Sequence, residues 1–137
     1  MAKDKYHDLV KEALEAEGWS VTDDPYYIPT LKRRLQIDLG AERVLAAERG
    51  STKIAVEIKS FIGLSAVHDF YKALGQFNYY YEALEDFEAE RILFLAVPET
   101  VYEEFFSEPL TQKLVKKHDM KLIVYSIEKE DITQWIA

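Results

Sequence analysis

Cysteine is absent from the chain, which excludes disulfides and thiolate metal sites. The three histidines, His7, His68 and His118, are too scattered to suggest a zinc site, so any metal is expected to be held by oxygen. No apolar run approaches the length of a bilayer span, and nothing after Met1-Ala2-Lys3 reads as a signal peptide. A soluble cytoplasmic protein without membrane association is therefore expected. Internal repeats and low-complexity segments are also missing. Basic residues are scarce in one half only: residues 1–62 carry 10 basic and 11 acidic side chains, and residues 63–137 carry 7 and 14. The net charge of −8 argues against a broad nucleic-acid-binding surface, because the favourable phosphate term comes from Lys and Arg. The acidity belongs to the second half, and the strongest basic cluster, Lys32-Arg33-Arg34, lies in the first. That cluster is either a solvated loop or a candidate DNA contact.

What is present is enough for one domain. A chain of 137 residues, 48% hydrophobic, can bury about two-thirds of its unfolded surface, so residues 1–137 are read as a single unit. Residues 3–17 predict a helix, with Tyr6, Leu9, Val10, Ala13 and Leu14 on one face and Gly18 closing it. A short strand over residues 19–23 follows, then a loop through Asp24-Pro25 into the basic cluster and a strand around Asp38. Two more strands, Arg43 to Arg49 and Lys53 to Lys59, flank Gly50-Ser51-Thr52 as a hairpin. A long helix is predicted from Leu64 to about Asp86, with Leu64, Val67, Tyr71, Leu74, Asn78 and Tyr81 as its buried stripe. The apolar run from Arg91 to Val97 predicts a central strand covered on both sides. Helical pieces over 100–106 and 110–118, divided by Pro109, precede a last strand over 121–127 and a final turn capped by Asp131 and ending in Trp135. The order α-β-β-β-α-β-α-β predicts an α/β sandwich with a mixed central β-sheet flanked by helices.

The chemistry concentrates in Lys53-Ile-Ala-Val-Glu-Ile-Lys59. Strand alternation puts Ile54, Val56 and Ile58 on one face and Glu57 and Lys59 on the other. Through the hairpin, Asp38 can approach Glu57. Two converging carboxylates can hold Mg²⁺, or Mn²⁺ in its place, with several waters retained, and a lysine beside them can orient or deprotonate a bound water. That combination suits phosphodiester hydrolysis. The competing reading is a half-exposed strand whose Glu57 and Lys59 are simply solvated. On the long helix Gln76 and Tyr80 share a face, with Lys72 one turn earlier, and that face could flank the site.

The spacing Asp38-x18-Glu57-x-Lys59 within strand-turn-strand, followed by a helix, resembles the PD-(D/E)xK nuclease superfamily. The resemblance implies a restriction-endonuclease-like fold, catalytic roles for Asp38, Glu57 and Lys59, and metal ligation by the two carboxylates. Gln76-xxx-Tyr80 looks like the accessory motif of RecB-type members, near the active site. Several members complete the metal site with a glutamate on the first helix; His7 stands at the matching position and Glu12 one face away, so the further ligand is open between them.

Whole phrases carry a closer likeness. Tyr6-His7 with Ala13-Leu14 and Gly18-Trp19, Asp24-Pro25-Tyr26, Ile37-Asp-Leu-Gly-Ala-Glu42, Ile54-Ala-Val-Glu-Ile-Lys-Ser-Phe61, Ala73-Leu-Gly-Gln-Phe77, Leu122-Ile-Val-Tyr125 and Trp135-Ile136 resemble the XisH family, the fdxN-element excision controlling factors of cyanobacteria. This likeness spans nearly the whole chain. It implies a part in programmed excision of a DNA element during heterocyst development, with DNA, an XisI-like protein and a separate site-specific recombinase as partners. A homodimer is left open. Two functions follow: a Mg²⁺-dependent DNA endonuclease, or a non-catalytic accessory factor that keeps the nuclease fold and binds DNA or a partner protein.

Overall fold

The structure, a computed structural model, describes residues 5–28 and 44–137. The segment holding Lys32, Arg33, Arg34 and Asp38 lies outside the described residues.

Helix α1 (His7–Ala16) turns its buried residues His7, Val10, Ala13 and Leu14 to the sheet at helical spacing. It ends where Gly18 takes a positive φ of 92°, a conformation that costs glycine little, and Trp19 then donates back to the Leu14 carbonyl at 3.1 Å. The chain enters β1 (Ser20–Asp23), and after the undescribed stretch β2 (Val44–Arg49) and β3 (Thr52–Ile58) form the expected hairpin, with Arg49 opposite Thr52 across the turn. Helix α2 (Ala66–Phe87) begins at Ser65, whose hydroxyl accepts from the His68 amide at 3.2 Å. Strand β4 (Ile92–Pro98), α3 (Glu99–Glu104), α4 (Pro109–Lys117), β5 (Leu122–Ser126) and β6 (Asp131–Ile136) complete the chain. Pro109 opens α4, where its missing N–H would have had no helical partner.

Among the described residues one six-stranded mixed sheet runs in the order β1-β2-β3-β4-β5-β6. The first three strands are antiparallel, β3-β4-β5 are parallel, and β6 returns antiparallel to β5. Helix α1 covers one face, packing Val10, Ala13 and Leu14 on Leu45, Ile54, Val56, Ile58 and Ile123. Helix α2 covers the other, packing Phe70, Ala73 and Phe77 against Ala55, Leu93 and Leu95, with Phe106 beside them. Strand β4 is central and buried on both sides, as its apolar run predicts.

Three expectations need correction. The buried stripe of α2 is not Leu64, Val67, Tyr71, Leu74, Asn78 and Tyr81: Leu64 is fully exposed, Val67, Tyr71 and Tyr81 are also exposed, and Phe70, Ala73, Phe77, Tyr80, Ala83 and Leu84 are buried instead. The three rings of Phe70, Phe77 and Tyr80 and the two alanines fit against the sheet, where close approach of the backbone is needed. Residues 131–136 are a strand, not a final turn; Ser126 pairs with Asp131 and Ile123 with Trp135. Pairing with β5 supplies the hydrogen bonds that a short turn could not. Finally, β3 is not half-exposed: residues 54–58 are buried on both faces.

Candidate active site

Glu57 faces α2. Its strand neighbours are Val44 on β2 and Leu95 on β4, both in the core beneath that helix, whereas Ile54, Val56 and Ile58 face α1. Its carboxylate lies at 0% exposure. Lys59 follows just past the strand end at 6% exposure. Its backbone is pinned twice: its N–H donates to the Ala96 carbonyl at 3.0 Å, and its carbonyl accepts from the Tyr125 hydroxyl at 2.9 Å. The side chain is pinned as well. The Lys59 ammonium donates to the Gln76 carboxamide oxygen on α2 and stands 3.7 Å from a Glu57 carboxylate oxygen.

Magnitudes bear on why such a pair is buried. At 3.7 Å the gross attraction is about 4 kcal/mol at an effective dielectric of about 20. Withdrawing the two ions from water costs several kcal/mol each, so a pair with this spacing is a poor stability device. Buried charges held by specific partners are instead what functional sites collect. The solvated-strand reading therefore does not hold.

The structure brings Glu57, Lys59 and Gln76 into one cluster. Tyr80, one turn beyond Gln76, is buried on the sheet-facing side of α2. Lys72, one turn before, points outward. His7 is buried on α1 with its Nε2 2.7 Å from a carboxylate oxygen of Asp24, whose other oxygen accepts from Lys11 at 3.3 Å. Glu12 is exposed. Asp38 is not described, but Val44, six positions after it, lies directly opposite Glu57. Among the described residues no group of three or more His, Asp and Glu side chains is placed to hold a metal. Two residues of this region were not singled out by sequence reasoning as site residues: Tyr125, which fixes the Lys59 backbone, and Asp24, which fixes His7. A hydroxyl inside the apolar Leu122-Ile-Val-Tyr125 was the available signal for the first, since a buried tyrosine requires a partner.

A second charged cluster holds the other end of β3. Arg91 is 7% exposed and donates to both Glu88 oxygens at 2.7 and 3.2 Å and to the Ile54 carbonyl at 2.9 Å, with its guanidinium 4.8 Å from the Tyr26 ring centre. Tyr26 donates to Glu88 at 2.7 Å. The hydrogen bonds from Arg91 hold the Glu88 carboxyl below its usual range despite its burial, and burial together with Glu88 pushes the Tyr26 hydroxyl well above its own. This cluster ties the loop after β1 to α2 and the β3-β4 pair.

The family model described as XisH protein matches residues 1–133. A crystal structure of an XisH family protein from Nostoc punctiforme superimposes with a TM-score of 0.89 at 41% identity, covering 98% of this chain and 100% of that one. A crystal structure of an fdxN element excision controlling factor protein from Anabaena variabilis gives 0.87 at 42% identity, covering 96% and 98%. No curated protein matches. A family match over almost the entire length, joined to two structural relatives above 40% identity, establishes that this chain belongs to the XisH family.

Proposed function

We propose that the chain has a restriction-endonuclease-like fold and acts as a Mg²⁺-dependent DNA endonuclease in programmed excision of a DNA element. The excision role follows the description carried by its Anabaena relative as an fdxN element excision controlling factor. The α1-β1-β2-β3-α2-β4 order, with β1 to β3 antiparallel and β4 parallel to β3, supports the fold. One observation carries the activity: the buried Glu57 and Lys59 at the end of β3, joined to Gln76 of the next helix.

The donor chemistry fits a hard cation. Magnesium is usually held by one or two carboxylates and completes its shell with water and phosphate oxygens, so Glu57 with Asp38 suffices and a third protein ligand is not required. Of the first-helix candidates, Glu12 is exposed and His7 is engaged with Asp24, so ligation is assigned to Asp38 and Glu57 alone. The bound ion, or Mn²⁺ in its place, would lower the pKa of a water and neutralise charge on the scissile phosphate. Lys59 orients the attacking water, which gives up a proton to solvent as its oxygen joins phosphorus, while the bond to the leaving deoxyribose oxygen breaks and that oxygen takes a proton from solvent. Gln76 fixes the direction of the Lys59 ammonium, and Tyr80, buried one turn further along α2, supports the lysine or the DNA strand. DNA contacts Lys32, Arg33 and Arg34, the strongest basic cluster of the sequence, because Glu82 to Glu108 holds nine carboxylates against Arg91 alone. An XisI-like protein and a site-specific recombinase are the partners that family resemblance suggests.

The test is calorimetric titration of Mn²⁺ into wild type, Glu57→Gln and Lys59→Ala. Wild type binds; Glu57→Gln, similar in volume, stays folded and loses binding; Lys59→Ala binds as well or better, because an adjacent cation has been removed. Equal binding by wild type and Glu57→Gln would remove Glu57 as a ligand.

A further inference from the structure

The outward face of α2 carries an ordered pattern that the proposed nuclease site does not use. His68, Lys72, Gly75, Tyr79, Glu82 and Asp86 follow one another at spacings of 4-3-4-3-4, so they form a single stripe along the helix, and all six are exposed. The spacing is symmetric about Phe77, and the chemistry is antisymmetric: a histidine and a lysine at one end, two carboxylates at the other, glycine and tyrosine between.

From this we infer that α2 is a homodimer interface, in which a second copy of the chain lays its own α2 antiparallel across the first. A two-fold axis through the level of Phe77 brings each residue of the stripe to its complement. His68 meets Asp86 of the other copy, Lys72 meets Glu82, and Gly75 meets Tyr79, each pair occurring twice. Gly75 is suited to that place: a side chain there would meet nothing within 4 Å in the monomer, so the glycine fills no intramolecular need. Its bare backbone gives the Tyr79 ring of the other copy a surface to lie on. Tyr71, 64% exposed and stacked on His68 at 6.0 Å between ring centres, adds apolar area along the same side. A parallel arrangement would set like charges against each other, and DNA would be repelled by Glu82 and Asp86. A second copy satisfies both ends at once.

A single pair of 22-residue helices is about 33 Å long. The contact is therefore smaller than the roughly 1,200–2,000 Å² of a standard stable interface, and the dimer is expected at micromolar concentrations and to weaken as salt rises. Gln76 and Tyr80 point inward from the same helix, so pairing leaves the Glu57 and Lys59 cluster untouched.

Sedimentation velocity of the full chain at low salt, over about 1 to 200 μM, tests the inference. Wild type should pass from monomer to dimer. Lys72→Glu places acid against acid, and Glu82→Lys places base against base, so each variant alone should stay monomeric while keeping the wild-type circular dichroism spectrum. Mixed in equal amounts, the two variants should form a heterodimer, because each supplies what the other lacks. Gly75→Trp should leave the melting temperature unchanged and abolish the dimer. A wild type that stays monomeric throughout, a dimer indifferent to these substitutions, or mixed variants that fail to pair would each overturn the assignment.

Discussion

Replacing Arg91 by Met tests the cluster that ties the loop after β1 to the β3-β4 pair. The substitution keeps an apolar stem of similar reach and deletes the guanidinium. Three hydrogen bonds disappear, two to Glu88 and one to the Ile54 carbonyl, and so does the contact with the Tyr26 ring. Removing one partner of a buried ion pair costs about 3–5 kcal/mol. Glu88 keeps 17% side-chain exposure and retains the Tyr26 hydroxyl and Lys53 at 3.7 Å, so part of that penalty is relieved. A loss of about 2–3 kcal/mol is expected, which for a domain of this size lowers Tm by roughly 10 °C. Urea unfolding of wild type, Arg91→Met, Glu88→Gln and the double variant should give a coupling energy of about 1–2 kcal/mol. The acid limb adds a sign. Because Glu88 has a lowered folded-state pKa, its contribution is present above the unfolded carboxylate pKa and is lost as pH falls through the folded one. Arg91→Met should therefore flatten the fall in stability below about pH 4. A loss under about 0.5 kcal/mol, with that acid limb unchanged, would refute the view that this cluster is buried and coupled.

Further outcomes follow from the same geometry. The raised Tyr26 hydroxyl contributes stability below the ordinary tyrosine pKa of about 10 that is lost as pH rises beyond it, and Tyr26→Phe should abolish this alkaline decline in thermal melts. Tyr125→Phe leaves the buried Lys59 carbonyl without its hydroxyl donor; it should cost about 1–2 kcal/mol and reduce DNA cutting while Mn²⁺ affinity, measured by calorimetry, stays unchanged. Replacing Lys32, Arg33 and Arg34 together by Ala should weaken DNA binding and reduce the slope of log K against log salt by up to about 3, as read from a fluorescence titration.

The β3 motif was legible because two independent signals coincide in seven residues: the alternation of Ile54, Val56 and Ile58, and the charged pair on the opposite face. What the alternation could not show is that α2 would cover that charged face, since burial of Glu57 and Lys59 comes from residues far along the chain such as Gln76. Helix α2 was legible in extent and misread in orientation. It carries apolar residues on both faces, and Val67, Tyr71 and Tyr81 look as buriable in sequence as Phe70, Ala73 and Phe77. The sheet chooses between them by fit. Strand β6 alternates only weakly, with Ile132 turned inward and Thr133 and Gln134 exposed, and its existence depends on pairing with β5. The likeness to the XisH family was carried by whole phrases, and the family match confirms it.

The central claim is that Glu57 and Lys59 form the working centre of a metal-dependent nuclease. Incubation of wild type with supercoiled and branched DNA in Mg²⁺ or Mn²⁺, beside Glu57→Gln and Lys59→Ala, tests it most directly. The account predicts cutting by wild type that is abolished by EDTA and in both variants, each still folded by circular dichroism. Uncut DNA with wild type on every substrate, or cutting that persists in Glu57→Gln, would contradict it.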